Sequence, residues 1–298
     1  MHRTLSTNKR AGILISLTAY AAAFGVAAAA AAAAGLRHPL LTVAIGDAAA
    51  TATIFVASVA CDNSSLYDPY WSLQPAAVAA YYLYFGAPHA GVRGLLVATL
   101  VFLYSARLTS NFYRDWPGLA KEDFRYAQLR HRFGRLYWPV SLAGVHLFPT
   151  MIVYLGCVPL YAAMAARGAQ APLGWLDAAG TVVTLGSIVL AFAADEQLRR
   201  FRHDPSNAGK SIRAGLWRLS RHPNYLGEIC TWWGLYLFAL STGARWWWTG
   251  FGAAAVTGLF VFVSVPIMER RALATRESYA EYRRRTPVLL PVPLTRGR

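Results

Sequence analysis

The chain is poor in charge: only 14% of its 298 residues are Asp, Glu, Lys or Arg, against roughly 25% in an average soluble domain. That scarcity argues against a water-soluble globular protein. Acids are the scarcer sign, 14 against 29 Lys and Arg, for a net charge of +15. Cysteine is nearly absent. Cys61, Cys157 and Cys230 are far apart, and no pair has zinc-site or redox spacing, so they read as small apolar packing residues. No glycine-rich GxGxxG stretch follows a strand, which leaves a Rossmann site unsupported. Ser141 and Ser220 lack a hydrolase elbow. His38, His89, His131 and His203 show no metal-like spacing, and His146, inside an apolar run, reads as a packing histidine. There is neither a soluble domain nor an internal repeat.

What the chain has in abundance is apolar sequence, 56% of residues, arranged in runs near the ~20 residues that cross a ~30 Å hydrocarbon core as a helix. Eight spans are expected near 11–34, 40–60, 73–87, 92–109, 138–166, 173–194, 226–242 and 246–268. The third is short enough to be re-entrant, and a core of seven spans is the other count. Abundant Ala and Gly suit close helix packing in lipid. The fold class is an all-α polytopic membrane bundle of seven to eight transmembrane helices. The basic start (Arg3, Lys9, Arg10) and the first apolar run fit a signal peptide, but the 27–34 alanine tract continues into more apolar sequence, so a retained first span is expected.

The +15 charge is not a nucleic-acid footprint, because its placement follows the membrane. Lys and Arg number three in the N-terminal tail, six in 110–137, seven in 195–225 and eight in 269–298, while the alternate loops hold one each (Arg37, Arg93, Arg167, Arg245). This positive-inside asymmetry places both termini in the cytoplasm. The 61–72 loop, with Asp62 and Asp68 and no base, is the exception. Arg107 stands almost alone as a charge inside a span, which disfavours a charge-relay transporter. The partners implied are membrane lipids and an apolar small molecule, with neither nucleic acid nor metal.

Polar residues concentrate at three places. In 111–137, Pro117-Gly118 breaks the chain, Glu122-Asp123 suit the start of a helix, and the aromatics that follow suit an interfacial helix. Residues 195–202, DEQLRRFR, continue a helix out of the membrane and then turn at 203–207; Asp195, Leu198 and Arg202 share a face at i, i+3 and i+7. Residues 215–234, GLWRLSRHPNYLGEICTWWG, set Arg218, Arg221, His222, Asn224, Tyr225 and Glu228 at the mouth of an apolar span. Polar groups there are costly unless they bind something. In the tail, Pro287, Pro291 and Pro293 stop any helix, and Arg283, Arg284 and Arg285 suit anionic headgroups.

ADEQLRRFR (194–202), GLWRLSRHPNYLGE (215–228), WWG (232–234) and YAEYRRRTPVLLP (279–291) occur in that order. With YDPYWSLQP (67–75) and RLTSNFYRDWPGLAKEDFRY (107–126), they resemble the DUF1295 family, related to the C-terminal domain of steroid 5α-reductases. The resemblance runs from Tyr67 onward, dividing the chain into 1–66, outside it, and 67–298, a steroid 5α-reductase-like membrane domain. It implies an oxidoreductase of a bacterial inner membrane that uses NADPH on an activated C=C bond of a sterol-like or isoprenoid substrate. Asp195 and Arg202 take the positions of the family's cofactor-contacting pair, and Asn224 and Glu228 those of its motif residues. Arg199, Arg221, His222 and Tyr225 join the cofactor-binding set as phosphate forks and a stacking ring. Tyr104, three residues before Arg107, resembles the family's proton-donating tyrosine. Asp68 stands where steroid 5α-reductases have a glutamate, a shorter acid that puts steroid specificity in doubt. A similar Arg-His-Pro-x-Tyr-x-Gly stretch occurs in S-adenosylmethionine-dependent isoprenoid and phospholipid methyltransferases, the alternative reading. A non-enzymatic lipid-binding membrane protein is a third.

Overall fold

The structure, a computed structural model, describes residues 8–85 and 91–290; Arg3, His89, Pro291 and Pro293 lie outside them. All regular elements among the described residues are helical, in two compact units, Met1–Ala171 and Pro172–Arg298. Six helices are long and apolar enough to cross a membrane. Two of the expected spans fall short of that standard. The segment after the 61–72 loop is a helix of 16 residues, Tyr70–Phe85, about 24 Å long at 1.5 Å per residue. The other, Pro223–Ser241, spends its first turns on Asn224, Tyr225 and Glu228.

The first unit opens with a helical hairpin, α1 (Lys9–Ala34) and α2 (Pro39–Ala60). Gly35 makes its turn in the left-handed conformation (φ 59°) that glycine adopts without a Cβ penalty. After a 3₁₀ turn (Ser64–Tyr67) come α3 (Tyr70–Phe85) and α4 (Gly91–Asp115). The expected helix after the Pro117-Gly118 break is α5 (Phe124–Phe133), with Asp123 as N-cap accepting from Arg125 N at 2.9 Å. α6 (Tyr137–Ser141) and α7 (Phe148–Met164) are joined by a π turn, Leu142–Leu147. His146 lies in that turn, fully buried, between Ser141 O (3.0 Å) and Ser58 Oγ (3.2 Å), the packing role its apolar setting suggests.

This unit explains the acidic loop. Asp62 pairs with Arg130 (2.8 Å) and Asp68 with Arg125 (3.2 Å), so 61–72 lies at the same end of the unit as the basic 110–137 segment and is neutralised by it. Glu122 completes the junction, accepting from Ser64 N (2.9 Å), Tyr137 Oη (2.9 Å) and Arg130 Nε (3.1 Å).

Charge inside the helices is less sparse than expected. Asp47, midway along α2, is 8% exposed, and Arg93, in the first turn of α4, is 1% exposed and donates to Ala169 O at 2.6 Å. Both are covered by polar partners that composition cannot reveal.

The second unit is built on α8 (Trp175–His203), then α9 (Leu216–Leu219), α10 (Pro223–Ser241), α11 (Gly250–Gly258), a π turn (Leu259–Ser264), α12 (Val265–Thr275) and α13 (Tyr279–Arg285). α8 and α10 meet along small residues. A Cβ added to Gly227 would lie 2.7 Å from Ser187 O and 2.9 Å from Ala191 N; one added to Gly234 would lie 2.9 Å from Thr184 N. Between these glycines Ser187 and Thr231 hydrogen-bond at 2.8 Å. Small residues let backbones approach, and the hydroxyl pair supplies the polar contact lipid cannot.

Candidate functional site

The close α8–α10 seam determines what stands at its polar end. α8 runs unbroken to His203, so Asp195 and Arg202 keep the common face expected of them, and Leu198 packs with Ala194, Ile212 and Trp217. The chain leaves the helix at Asp204, whose Oδ1 accepts from Ser206 N at 2.9 Å, and turns through Pro205–Asn207. It returns at Gly215, where φ is +58° and the side chain of Gln197 lies 2.5 Å from the position of a Cβ. Gln197 Oε1 accepts from Leu216 N (2.9 Å), and Trp217 Nε1 donates to Ala194 O (3.0 Å). These bonds lay the RHPN turn against the end of α8.

Pro223 then starts α10, where a missing N–H costs nothing. One turn ahead of Gly227, Asn224 donates from Nδ2 to Asp195 Oδ1 at 3.0 Å, and its own Oδ1 accepts from Tyr225 N at 3.0 Å. Two residues 29 apart in sequence thus form one polar pair, half-buried. Glu228, a turn further along α10, is 5% exposed. Arg199 pairs with Glu196 at 3.2 Å, its side chain 10% exposed, whereas Arg202 is exposed.

Arg221 and His222 face another way. Arg221 Nε lies 2.7 Å from Glu269 Oε1, and its Nη1 donates to Arg283 O (2.5 Å) and Thr286 O (2.9 Å). His222 Nε2 is 3.5 Å from the same carboxylate, and Arg283 Nε is 3.2 Å from Glu269 Oε2. The backbone amides of Arg221 and His222 donate to Pro287 O (2.9 Å) and Val288 O (3.2 Å). The tail is therefore fastened to the motif, with the His222 ring stacked on Tyr225 (5.1 Å, 9°). Glu269, 6% exposed, is the residue that sequence reasoning missed. Its one signal was an acid at the end of the last span beside Arg270 and Arg271. Arg283, read as a headgroup ligand, reaches that acid through Nε while half of its side chain stays exposed.

In the first unit, Asp68 closes the 3₁₀ turn and is turned toward α5. Its Oδ1 accepts from Tyr126 Oη (2.5 Å) and Arg125 Nη2 (3.2 Å). Burial pushes its carboxyl up to about 6, against the opposing pull of Arg125 and the Tyr126 hydrogen bond. Tyr104, on α4, is 1% exposed with the Arg107 guanidinium 5.6 Å from its ring centre. It faces protein, not lipid. No group of three or more His, Cys, Asp or Glu suited to a metal occurs among the described residues.

Comparison with known proteins finds a family match whose range includes these motifs. The DUF1295 family, described as a protein of unknown function, matches residues 54–286. A Schizosaccharomyces pombe protein, "Uncharacterized protein C594.04c", is 31% identical over 226 residues, 68% of this chain. The alignment spans 65% of that relative's length. No solved structure matches. The match of the family across the 61–72 loop, the RHPN turn and the α8–α10 seam shows that this multi-pass helical protein belongs to the DUF1295 family.

Proposed function

We propose that the protein is a membrane-embedded, NADPH-dependent reductase of an activated C=C bond in an apolar, sterol-like or isoprenoid substrate. The observation that carries this reading is the Asn224–Asp195 hydrogen bond, 3.0 Å, which joins the two sequence elements whose resemblance implies cofactor contact. The donor set fits a phosphorylated dinucleotide. Arg202 is exposed at the end of α8 and offers a planar fork for phosphate. Asp195 and Glu228 are acceptors suited to ribose hydroxyls, Asn224 offers both donor and acceptor, and Tyr225 offers a ring face. Arg199, on the same helix, extends the positive charge. Arg221 and His222 serve the same site as positioning residues, holding the turn that carries Asn224 against the C-terminal tail.

Bound NADPH supplies a hydride. Reduction of an enone also requires a proton and stabilisation of the charge that develops on oxygen. Asp68, with its carboxyl raised to about 6, keeps a proton closer to neutral pH than an ordinary aspartate, and Tyr104 is a buried phenol. These two are the proposed proton donors. Both termini are assigned to the cytoplasm by the charge asymmetry.

The test is thermal unfolding of detergent-purified protein with NADPH, NADH and S-adenosylmethionine titrated separately. Ligand at a hundredfold excess over its dissociation constant stabilises the folded state by about 2.7 kcal/mol. The proposal expects a shift with NADPH that Asn224→Ala and Arg202→Ala abolish. A shift with S-adenosylmethionine alone would refute it in favour of a methyltransferase.

A further inference from the structure

The end of the second unit carries more positive charge than its acids neutralise. Between residues 265 and 290 stand six arginines and three glutamates. Glu269 is already shared by Arg221 and Arg283, and Glu281 by Arg213 and Arg285. Arg276, the residue that ends α12, pairs with no carboxylate among the described residues. It is half-buried, and burial together with the like charge of Arg271 pulls its guanidinium down from the usual range. Beside it Tyr279 is 4% exposed, and burial pushes its phenol up to about 12, so the hydroxyl keeps its proton. That hydroxyl has no hydrogen-bond partner among the described residues and still reaches the surface. Arg283 gives only Nε to Glu269, at 3.2 Å, and its side chain is 51% exposed. Arg276 and Arg283 both act on the Tyr279 phenol, so the three donors stand around one place.

Like charges in a half-buried place repel one another and lose hydration, and a bound anion offsets both costs. The depth of the cluster says which anion. The last apolar stretch ends at Thr275, one residue before Arg276, where hydrocarbon gives way to headgroups. Leu273 and Leu290 are exposed apolar side chains on either side of it in sequence. We infer that Arg276, Tyr279 and Arg283 bind the phosphate of an anionic phospholipid headgroup, with the acyl chains lying along the end of α12. The donor set selects the headgroup. Guanidinium forks match phosphate oxygens, and a phenol adds a third donor. The choline or ammonium of a zwitterionic lipid would meet guanidinium groups, because Glu269 is already held by its own arginines. Of the three tail arginines whose sequence suits headgroups, Arg283 is thus assigned to the site, whereas Arg285 pairs with Glu281 at 3.0 Å. Binding requires no nicotinamide and is independent of the reductase reading.

The test uses full-length protein in nanodiscs of phosphatidylcholine and phosphatidylglycerol, nine to one, without nucleotide. Lipid retained after release into detergent is counted by native mass spectrometry. The protein is expected to retain phosphatidylglycerol in preference to the more abundant phosphatidylcholine. Arg276→Gln and Tyr279→Phe should each weaken that retention roughly tenfold, the loss of one hydrogen bond to a charged group. Arg132→Gln, which removes an exposed arginine of α5 in the first unit, should leave it unchanged. Thermal unfolding in phosphatidylcholine alone should be the same for all three variants and the parent. Indifference to lipid charge, or an Arg132→Gln effect equal to that of Arg276→Gln, would overturn the proposal; the second would mean diffuse surface charge. Displacement of the lipid by inorganic phosphate or by NADPH would overturn it too, and would reassign the three donors to a soluble phosphate. If Arg276→Gln does not fold, Tyr279→Phe and the lipid comparison decide alone.

Discussion

Gly227→Ala is the sharpest perturbation of the candidate site, because it adds one methyl group and nothing else. In α10 that methyl would lie 2.7 Å from Ser187 O, 2.8 Å from Ala191 Cβ and 2.9 Å from Ala191 N. Two of these are backbone atoms and the third is a Cβ, so no side-chain rotation relieves the clash. The helices must separate by roughly half an ångström to one ångström to restore ordinary contact, and overpacking of this kind costs about 1–3 kcal/mol. Alanine recovers about 1 kcal/mol of helix propensity, so the net loss is at most about 2 kcal/mol, and relative to an unhindered Gly→Ala change about 1–3 kcal/mol. The consequence for the site is geometric. Asn224 lies one turn away, and its 3.0 Å bond to Asp195 stretches past hydrogen-bonding range if the seam opens by an ångström. Gly186→Ala is the control: it sits on α8 with no atom within 4 Å of its added methyl and should be neutral or stabilising by up to about 1 kcal/mol. Thermal unfolding and NADPH titration of both variants are the assay. Gly227→Ala should unfold a few degrees lower and bind NADPH more weakly, while Gly186→Ala does neither. If Gly227→Ala is as stable as Gly186→Ala, the close approach of α8 and α10 is not what holds the site.

Asp68→Asn tests the buried acid. Because burial raises its folded carboxyl to about 6 from an ordinary value near 3.8, the stability tied to its proton is present below about pH 4 and lost as pH rises through 6. The asparagine variant should flatten that part of the stability profile, and an unchanged profile would remove Asp68 as a proton holder. Glu269→Ala leaves Arg221 and Arg283 without their acid, and breaking a buried pair costs about 3–5 kcal/mol; limited proteolysis should then cut the tail after residue 276 sooner. Combined with Arg221→Met, its effect should fall short of the two single effects added together, and strict additivity would count against the clamp. Trp217→Phe removes the 3.0 Å bond from the indole to Ala194 O and should cost about 1 kcal/mol, read as a lower unfolding temperature.

Where local pattern carries the information, sequence and structure coincide. Apolar run length marked the helices, Pro117-Gly118 and the 203–207 turn marked the breaks, and the basic segments of each unit gather at one end. Those features depend on residues a few positions apart, and lipid leaves helices as the form that satisfies their backbone. Tertiary structure decided the rest. It showed that the acid-only loop is neutral in context, through Arg125 and Arg130 from 57 and 68 residues away. It turned Tyr104 inward, gave Glu269 three basic neighbours, and brought Tyr70 and Gln74 to the carboxylate of Asp47. Such pairings are set by which helix faces meet, and those depend on where glycine and alanine allow two backbones to approach. The same small residues read along the chain as ordinary apolar content, and only in the packed fold do they become the seam that brings Asn224 to Asp195.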